Sequence, residues 1–441
     1  MKTYGAGMGL DALGETVARD LANLCRPAAN WVPPRQVNGE DVVDVVVIGG
    51  GMCGLLAYFA LQCGGMRNVR VLDRAPEGAE GPWVTYARME TLRSPKQLVG
   101  PAFGMGSLTF RAWFTAQFGE AEWEALDKIP RVMWMDYLKW YRRVLDVPVE
   151  NGVHVETIVP DGEHVRLHVT GAAETSILAR KVVMATGREG LGHPSIPSFV
   201  EGLPADRWAH SSHEIDFAAL TGKRVVVVGV GASAVDNAAE ALEHGAAEVR
   251  FLIRRKEMPT VNKMMGIGSF GFTCGFAELP DEWRWRFMRY SFVTQTPAPR
   301  GSTMRVSRHD NATFHFGKGI DGMAMNGSEV SIAMVDGSRL ATDFVILGTG
   351  FTVDPLARTE FGDNAEKILV WGDRYRPPPG EEHADLANFP YLSPDFSFME
   401  RVPGEAPFLR HIHAFNYGAT VSLGKVSGDI PGVSDGAAWL S

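Results

Sequence analysis

The run Asp44-Val45-Val46-Val47-Ile48-Gly49-Gly50-Gly51-Met52-Cys53-Gly54 leaves a chain few ways to fold. It reads as a buried strand, a glycine turn and the first residues of a helix. Gly49, Gly51 and Gly54 fill the three positions of G-x-G-x-x-G. Leu55–Leu61 continues the helix, and Val69-Arg70-Val71-Leu72 forms a second strand ending in Asp73. A side chain at Gly49 or Gly51 would block the turn or the approach of a phosphate. One at Gly54 would hold the helix off the strand. A pyrophosphate suits such a helix N-terminus, where free N–H groups and the helix dipole favour negative charge. Asp73 lies nineteen residues past Gly54, where a carboxylate accepts from an adenosine ribose. Strand, turn, helix, strand and acid together predict a dinucleotide site built from Gly49, Gly51, Met52, Cys53, Gly54, Asp73 and Arg74. Cys53 itself reads as packing, because an adjacent pyrophosphate opposes a thiolate.

The pattern occurs twice. Arg224–Val228 runs into Gly229-Val230-Gly231-Ala232-Ser233-Ala234, the G-x-G-x-x-A form, followed by a helix over 235–244 and a strand over 248–253. Where an acid would follow, this unit carries Arg254-Arg255-Lys256. Cations cannot accept from a ribose 2′-hydroxyl but pair with a 2′-phosphate, Arg in bidentate fashion. The second nucleotide is therefore expected to be NADPH, held by Gly229, Gly231, Ser233, Ala234, Arg254, Arg255 and Lys256. Each unit also has a short apolar strand closed by Thr-Gly: Lys181–Gly187, containing Thr186, and Asp343–Phe351.

At 441 residues the chain exceeds one ordinary core. A net charge of −9 argues against nucleic acid as the main partner. No apolar run reaches membrane-spanning length, and Met1–Gly5 lacks the apolar core of a signal peptide. Four cysteines form no Cys-x-x-Cys, so a cytoplasmic setting is expected. Leu10, Leu13, Val17, Leu21 and Leu24 predict an amphipathic N-terminal helix, packed on the main body or across a subunit contact of a homo-oligomer. Trp83, Tyr86, arginines and Lys96 in the loop after Asp73 suit the covering of a large flat ligand. Two stripes, Phe110/Trp113/Phe114/Phe118 and Met133/Tyr137/Leu138/Tyr141, read as core-facing helices. Met258, Met264, Met265 and the Gly/Phe run 266–276 suggest adaptability near a substrate, and the aromatics over 283–292 fit core or subunit contact. His411 and His413 lack further ligand-spaced partners, so no metal site is expected. The Gly-rich run 418–436 is suited to place N–H groups near an anionic ring edge.

Two dinucleotide units, each with a Thr-Gly strand, resemble the two-dinucleotide-binding-domain flavoproteins. That resemblance implies an α/β fold of two Rossmann-like domains, FAD in the first and NADPH in the second, the NADPH domain inserted into the FAD domain. The expected division is a helical extension (1–41), the first part of the FAD domain (42–219), the NADPH domain (220–326) and the rest of the FAD domain (327–441). The absence of a redox Cys pair turns the resemblance towards the class B flavoprotein monooxygenases. Trp83, Thr85-Tyr86, Arg88 and Pro95-Lys96-Gln97 are similar to a stretch of plant auxin-forming flavin monooxygenases. Ala87-Arg88-Met89-Glu90 resembles the Ala-Arg-x-Asp of Baeyer–Villiger enzymes, with Glu for Asp. Leu347–Phe351 is similar to the Ala-Thr-Gly-Phe/Tyr signature, with Gly348 for Ala. The identifying F-x-G-x-x-x-H-x-x-x-W/Y survives in fragments, Phe199–Gly202 and Trp208–Ser212. Where many flavin-containing monooxygenases carry an Asn, Leu92 or Arg93 falls.

The resemblance implies a monooxygenase that inserts one oxygen atom from O2 into a small molecule through a peroxyflavin, with N-hydroxylation or related heteroatom oxidation ahead of Baeyer–Villiger insertion. Catalytic candidates are Arg88 and Lys96, to stabilise developing negative charge, and Glu90, to orient Arg88. Trp83 joins the cofactor-facing set. The rival readings are an FAD-dependent NAD(P)H oxidoreductase without oxygen insertion and, from a different class, a nucleotide-sensing protein.

Overall fold

The computed structural model describes residues 7–262 and 268–441. Met264, Met265 and Gly266, expected near a substrate, lie outside the described residues, as do Met1–Gly5. The N-terminal helix α1 (Leu10–Asn23) buries Leu13 and Val17. It docks on the main body: Gly9 N–H donates to the Ala116 carbonyl, and Ser107 to the Asp20 carboxylate.

The first sheet is built on β1 (Val43–Ile48) and β2 (Val69–Asp73), joined by α2 (Met52–Cys63). Aliphatic residues, valine above all in β1, dominate these strands because a parallel strand is covered on both faces. Helices α3 (Phe110–Phe118), α4 (Glu120–Ala125) and α5 (Arg131–Val144) follow, and both expected aromatic stripes contribute buried residues to one core. Then come β3 (Val149–Asn151), β4 (His154–Asp161), β5 (His164–Thr170) and β6 (Ser176–Met184). The strand order is β3-β2-β1-β6-β5-β4. The β3, β2, β1 and β6 strands are parallel, while β5 and β4 turn back antiparallel.

The second sheet contains β7 (Trp208–His210), β8 (Arg224–Val228), β9 (Glu248–Ile253) and β10 (Ala312–Phe316), with α6 (Ala232–Glu243) crossing from β8 to β9. Helices α7 (Asp281–Thr294) and α8 (Arg300–Ser307) come before β10. An antiparallel meander follows: β11 (Ile320–Asn326), β12 (Glu329–Met334) and β13 (Arg339–Thr342). Next comes β14 (Phe344–Leu347), which enters the sheet between β7 and β8, giving the order β7-β14-β8-β9-β10. The chain then returns to the first sheet, where β15 (Ile412–His413) lies parallel to the C-terminal half of β6. The last helix, α9 (Val433–Leu440), packs on α2.

The expected division needs correction. The second sheet does not end at residue 326: β14 is hydrogen-bonded in register to β8, from Val225↔Phe344 to Val228↔Leu347. Nor does all of 220–326 belong with it. Trp285 and Met288 of α7 are buried in the first core. Trp285 Nε1–H donates to the Glu381 carbonyl, and Arg284 lies over the rings of Trp371 and Tyr391. One face of this helix, with Trp285, Phe287, Met288 and Phe292, is thus core packing, supplied by a helix that leaves the second unit and is held by the first, while Trp283 stays exposed.

Candidate functional site

In each sheet the chain leaves the central strand one way and returns on the other side, so a crevice opens at the carboxyl ends of two neighbouring strands. In the first sheet these are β1 and β6, and in the second β8 and β14. Both glycine turns and both Thr-Gly closures meet there. Ala185 N–H donates to the Ile48 carbonyl, and Gly348 N–H to that of Val228.

The first turn is shaped for close backbone approach. Gly49 has φ 106°, and a Cβ on it would stand 2.5 Å from the Ala185 carbonyl oxygen. A Cβ on Gly54 would stand 1.7 Å from the Gly49 oxygen. A Cβ on Gly51 would stand 3.9 Å from Gly81, so the loop after β2 comes back over the turn at van der Waals distance from such a side chain. No side chain caps α2, whose first N–H groups are left for an anion. Asp73 Oδ2 accepts from Gly50 N–H at 2.6 Å and Oδ1 from Ala75 N–H at 2.7 Å. Its carboxylate is thereby fixed at the mouth of the turn, with lone pairs to spare for ribose hydroxyls. These features fit a dinucleotide. Met52 and Cys53 are buried, Arg74 is exposed, and burial pushes the Cys53 thiol up to about 12.

The second turn repeats the geometry, with Gly229 at φ 102° and α6 likewise free of a side-chain cap. Ser233 is exposed on its first turn. Arg254 and Lys256 project into solvent at the end of β9, while Arg255 donates to the Val293 carbonyl. Two cations of the three are thus open to a phosphate.

Between the turns, Thr186 Oγ1 accepts from Asn416 Nδ2, which also donates to the Met184 carbonyl. This ties the first Thr-Gly closure to the C-terminal run. Arg188 lies 4.4 Å over the Tyr417 ring. Although burial opposes it, Lys425, Arg188 and Arg93 hold the Asp429 carboxyl below the usual carboxylate range. His210, from the fragmentary motif between the units, is buried. Its Nε2–H donates to the Gly350 carbonyl and its ring meets Phe351 edge-on, so it supports the second Thr-Gly closure. Burial lowers it to about 4.

The three catalytic candidates are dispersed. Arg88 donates to the Thr85 carbonyl and lies over Phe217, at the seam between the units. Glu90 does not orient it: the Glu90 carboxylate is exposed and lies 3.8 Å from Arg305. Lys96 is buried, and its Nζ donates to the carbonyls of Trp123 and Glu124 at the end of α4. Its charge closes a helix C-terminus, where a cation is stabilised. Trp83 packs edge-on against Trp134, while its carbonyl accepts from Arg131. Tyr86, from the same loop, pairs with Glu189 beside the first Thr-Gly closure.

Arg305, on α8, joins the two units. It is 2% exposed and bonds Glu240 and Glu243 of α6 at 2.9 and 2.6 Å. It also donates to the Arg88 carbonyl at 2.8 Å, with Asp236 3.9 Å away. Sequence reasoning missed Arg305, Arg188, Tyr417 and Asp429. No periodicity or motif marks them, because each acquires its role only from long-range packing.

Comparison with known proteins follows the same lines. A family model described as pyridine nucleotide-disulphide oxidoreductase matches residues 46–266. An FAD-dependent urate hydroxylase of Xanthomonas campestris pv. campestris is 41% identical over 430 residues, 97% of this chain and 90% of the relative. Among solved structures, ornithine N-hydroxylase of Kutzneria sp. 744 superposes with a TM-score of 0.70 at 16% identity, over 90% of this chain and 98% of that one. Ornithine hydroxylase of Pseudomonas aeruginosa gives 0.66 at 17% identity, with the same coverage. The bacillithiol disulfide reductase of Staphylococcus aureus, at 0.59 and 16% identity over 90% of this chain and 96% of its own, shares the architecture too. Fold alone therefore does not separate oxygenation from reduction.

Proposed function

The chain belongs to the FAD-dependent flavoprotein monooxygenases of the pyridine nucleotide-disulphide oxidoreductase family, and from that premise we propose that it hydroxylates a urate-like planar heterocycle with O2. The observation that carries this reading is 41% identity to a urate hydroxylase along 97% of the chain. N-hydroxylation of an amine, the reaction expected first, has the support of a shared fold only.

FAD, when bound, takes a hydride from the nicotinamide and activates O2 for transfer of one oxygen atom. The protein's part is placement. The N–H groups at Gly51–Cys53 take the pyrophosphate of FAD, and Asp73 accepts from its ribose. Gly231–Ser233 take the pyrophosphate of NADPH, and Arg254 and Lys256 its 2′-phosphate. The crevice between the two Thr-Gly closures brings the two rings together and excludes water. In balance, substrate, NADPH, O2 and a proton yield hydroxylated product, NADP⁺ and water. The partners on this reading are small molecules and O2. Among the described residues no helix is long and apolar enough to cross a membrane. Free Cys25 and Cys274 on the surface fit a reducing, cytoplasmic setting.

The test is stoichiometry on purified protein, which should be yellow. With urate, NADPH consumed should equal urate lost, with little hydrogen peroxide. Rapid NADPH oxidation with all electrons recovered as peroxide, or passed to another acceptor, would point to the reductase. A colourless protein that FAD does not reconstitute would sink the flavoprotein reading itself.

A further inference from the structure

We propose that Arg305 is a positioning residue for hydride transfer: by tying the second nucleotide helix to the loop 88–90 of the first unit, it sets where the nicotinamide meets the flavin. This rests on the FAD- and NADPH-dependent reading above, in which a hydride leaves the nicotinamide ring for the flavin ring, oxidising one and reducing the other by two electrons. The second unit hangs on two chain crossings, and these are paired into one antiparallel ribbon, Gly192–Pro194 with Phe351–Val353. Such a ribbon holds one edge of the unit. Its angle to the first unit must be set by contacts away from the ribbon.

Arg305 supplies such a contact. Its side chain is buried, and on one side it holds α6. Nε and Nη2 form a fork on the Glu243 carboxylate at 2.9 and 2.6 Å, and Nη2 also donates to Glu240 at 2.9 Å. On the other side Nη1 crosses to the first unit and donates to the Arg88 carbonyl at 2.8 Å. The next two carbonyls of that loop are held from the first unit. Arg131, at the start of α5, donates from Nε to Met89 at 2.9 Å and from its backbone N–H to Glu90 at 3.0 Å. Three consecutive carbonyls are thus divided between two arginines, one from each unit. The Arg88 side chain makes the same crossing: its guanidinium lies 5.6 Å over the ring of Phe217, which is buried in a core of the second unit.

An arginine that served only to neutralise α6 would need Glu240 and Glu243 alone. The bond to a main-chain carbonyl of the other unit adds nothing to the second unit's own core. What it fixes is the direction of α6, the helix whose open N-terminus takes the NADPH pyrophosphate on this reading. Glu240 and Glu243 lie at the far end of that helix. With 12 residues α6 is about 18 Å long, so a tilt of about 3° carries one end past the other by about 1 Å. A misplacement of about 1 Å between reacting atoms costs about a hundredfold in rate. A buried guanidinium suits the task, because its planar fork fixes direction as well as distance.

The experiment uses the full chain loaded with FAD and two variants. Arg305→Lys keeps the charge but loses the fork. A neutral replacement, Arg305→Met with Glu240→Gln and Glu243→Gln, removes the fork's charges together, so neither glutamate is left stranded in the interior. Anaerobic stopped-flow absorbance gives the limiting rate of flavin reduction separately from the NADPH Kd. FAD content, Tm and hydrogen exchange over 83–92 are measured alongside. At saturating NADPH the neutral variant should reduce its flavin about tenfold to a hundredfold more slowly than wild type, with Arg305→Lys in between. NADPH Kd and FAD content should hold, dithionite-reduced enzyme should react with O2 at the wild-type rate, and amides over 83–92 should exchange faster. A wild-type limiting rate in the neutral variant would overturn the proposal. A lowered Tm or FAD content without a slower limiting rate, or loss of FAD from both variants, would make Arg305 purely structural and overturn it too. A weaker Kd at an unchanged rate would make it part of the nucleotide site instead. A wild-type flavoprotein that NADPH does not reduce would sink the underlying reading, a result that needs no Arg305 variant.

Discussion

The two glycine turns follow the same course from strand to helix and differ in packing and in charge. The first turn has Gly54 on the helix and Ala185 at the end of the neighbouring strand. The second has Ala234 on the helix and Gly348 at the end of the strand. A Cβ on Gly348 would stand 2.3 Å from the Cβ of Ala234. In the second unit one methyl group fits between helix and strand, whereas in the first a Cβ on Gly54 would meet the Gly49 carbonyl oxygen at 1.7 Å. The Ala of G-x-G-x-x-A and the Gly that replaces Ala in the Thr-Gly signature are thus one packing choice. The second difference is charge. Asp73 ends one strand and Arg254-Arg255-Lys256 the other, and on the proposed function this contrast in sign separates the two nucleotides.

The contrast can be broken most severely at Gly54. Gly54→Ala drives a methyl into the Gly49 carbonyl, and overpacking against backbone should cost about 3 kcal/mol or more. The protein should purify without FAD and with a lowered Tm, whereas Ala234→Gly in the second turn should keep both; equal tolerance would show the turns to be interchangeable. Next is the charge contrast. Arg254→Ala with Lys256→Ala should raise the NADPH KM by about tenfold to a hundredfold, the worth of charge-assisted contacts, while leaving that for NADH. Equal weakening of both would remove the argument for the 2′-phosphate. Gly348→Ala should cost roughly 1–2 kcal/mol, and adding Ala234→Gly should restore most of it. A double variant no better than the single would separate the two positions. The smallest effect belongs to Cys53→Ser, which makes the first turn read like Gly231-Ala232-Ser233-Ala234 and should change stability by less than about 1 kcal/mol. In the native wild type Cys53 should also resist alkylation at pH 8, because its thiol ionises only near 12, while exposed Cys25 and Cys274 react. Mass spectrometry of labelled cysteines reads this directly.

Both turns, their strands and the inserted order were legible in the sequence because each is local: a valine run, glycines at fixed spacing, and a charge at the strand end. The boundaries were not. Nothing in Phe344–Leu347 says which of two similar sheets it enters. Nothing in Trp283–Phe292 says that its aromatic face belongs to the first core. The candidates Glu90 and Lys96 were read from neighbours in sequence, while their actual partners are Arg305 and the end of α4, more than 25 residues away. Charged residues whose partners are distant leave no periodic trace, so the crevice's walls at Arg188, Tyr417 and Asp429 had to come from the fold.

One strand pair bears on how the molecule comes to exist. The second unit's cores draw their buried residues from Val200 to Leu347, so they are complete in the nascent chain before the rest is made. The first core runs from Leu13 to Ala437, and the edge of β6 waits for Ile412–His413. On the ribosome the inserted unit can fold while its host is still open, and the crevice acquires its last wall only after residues 412–429 have emerged. A chain cut short near residue 400 would carry both glycine turns and still lack Asn416, Tyr417 and Asp429.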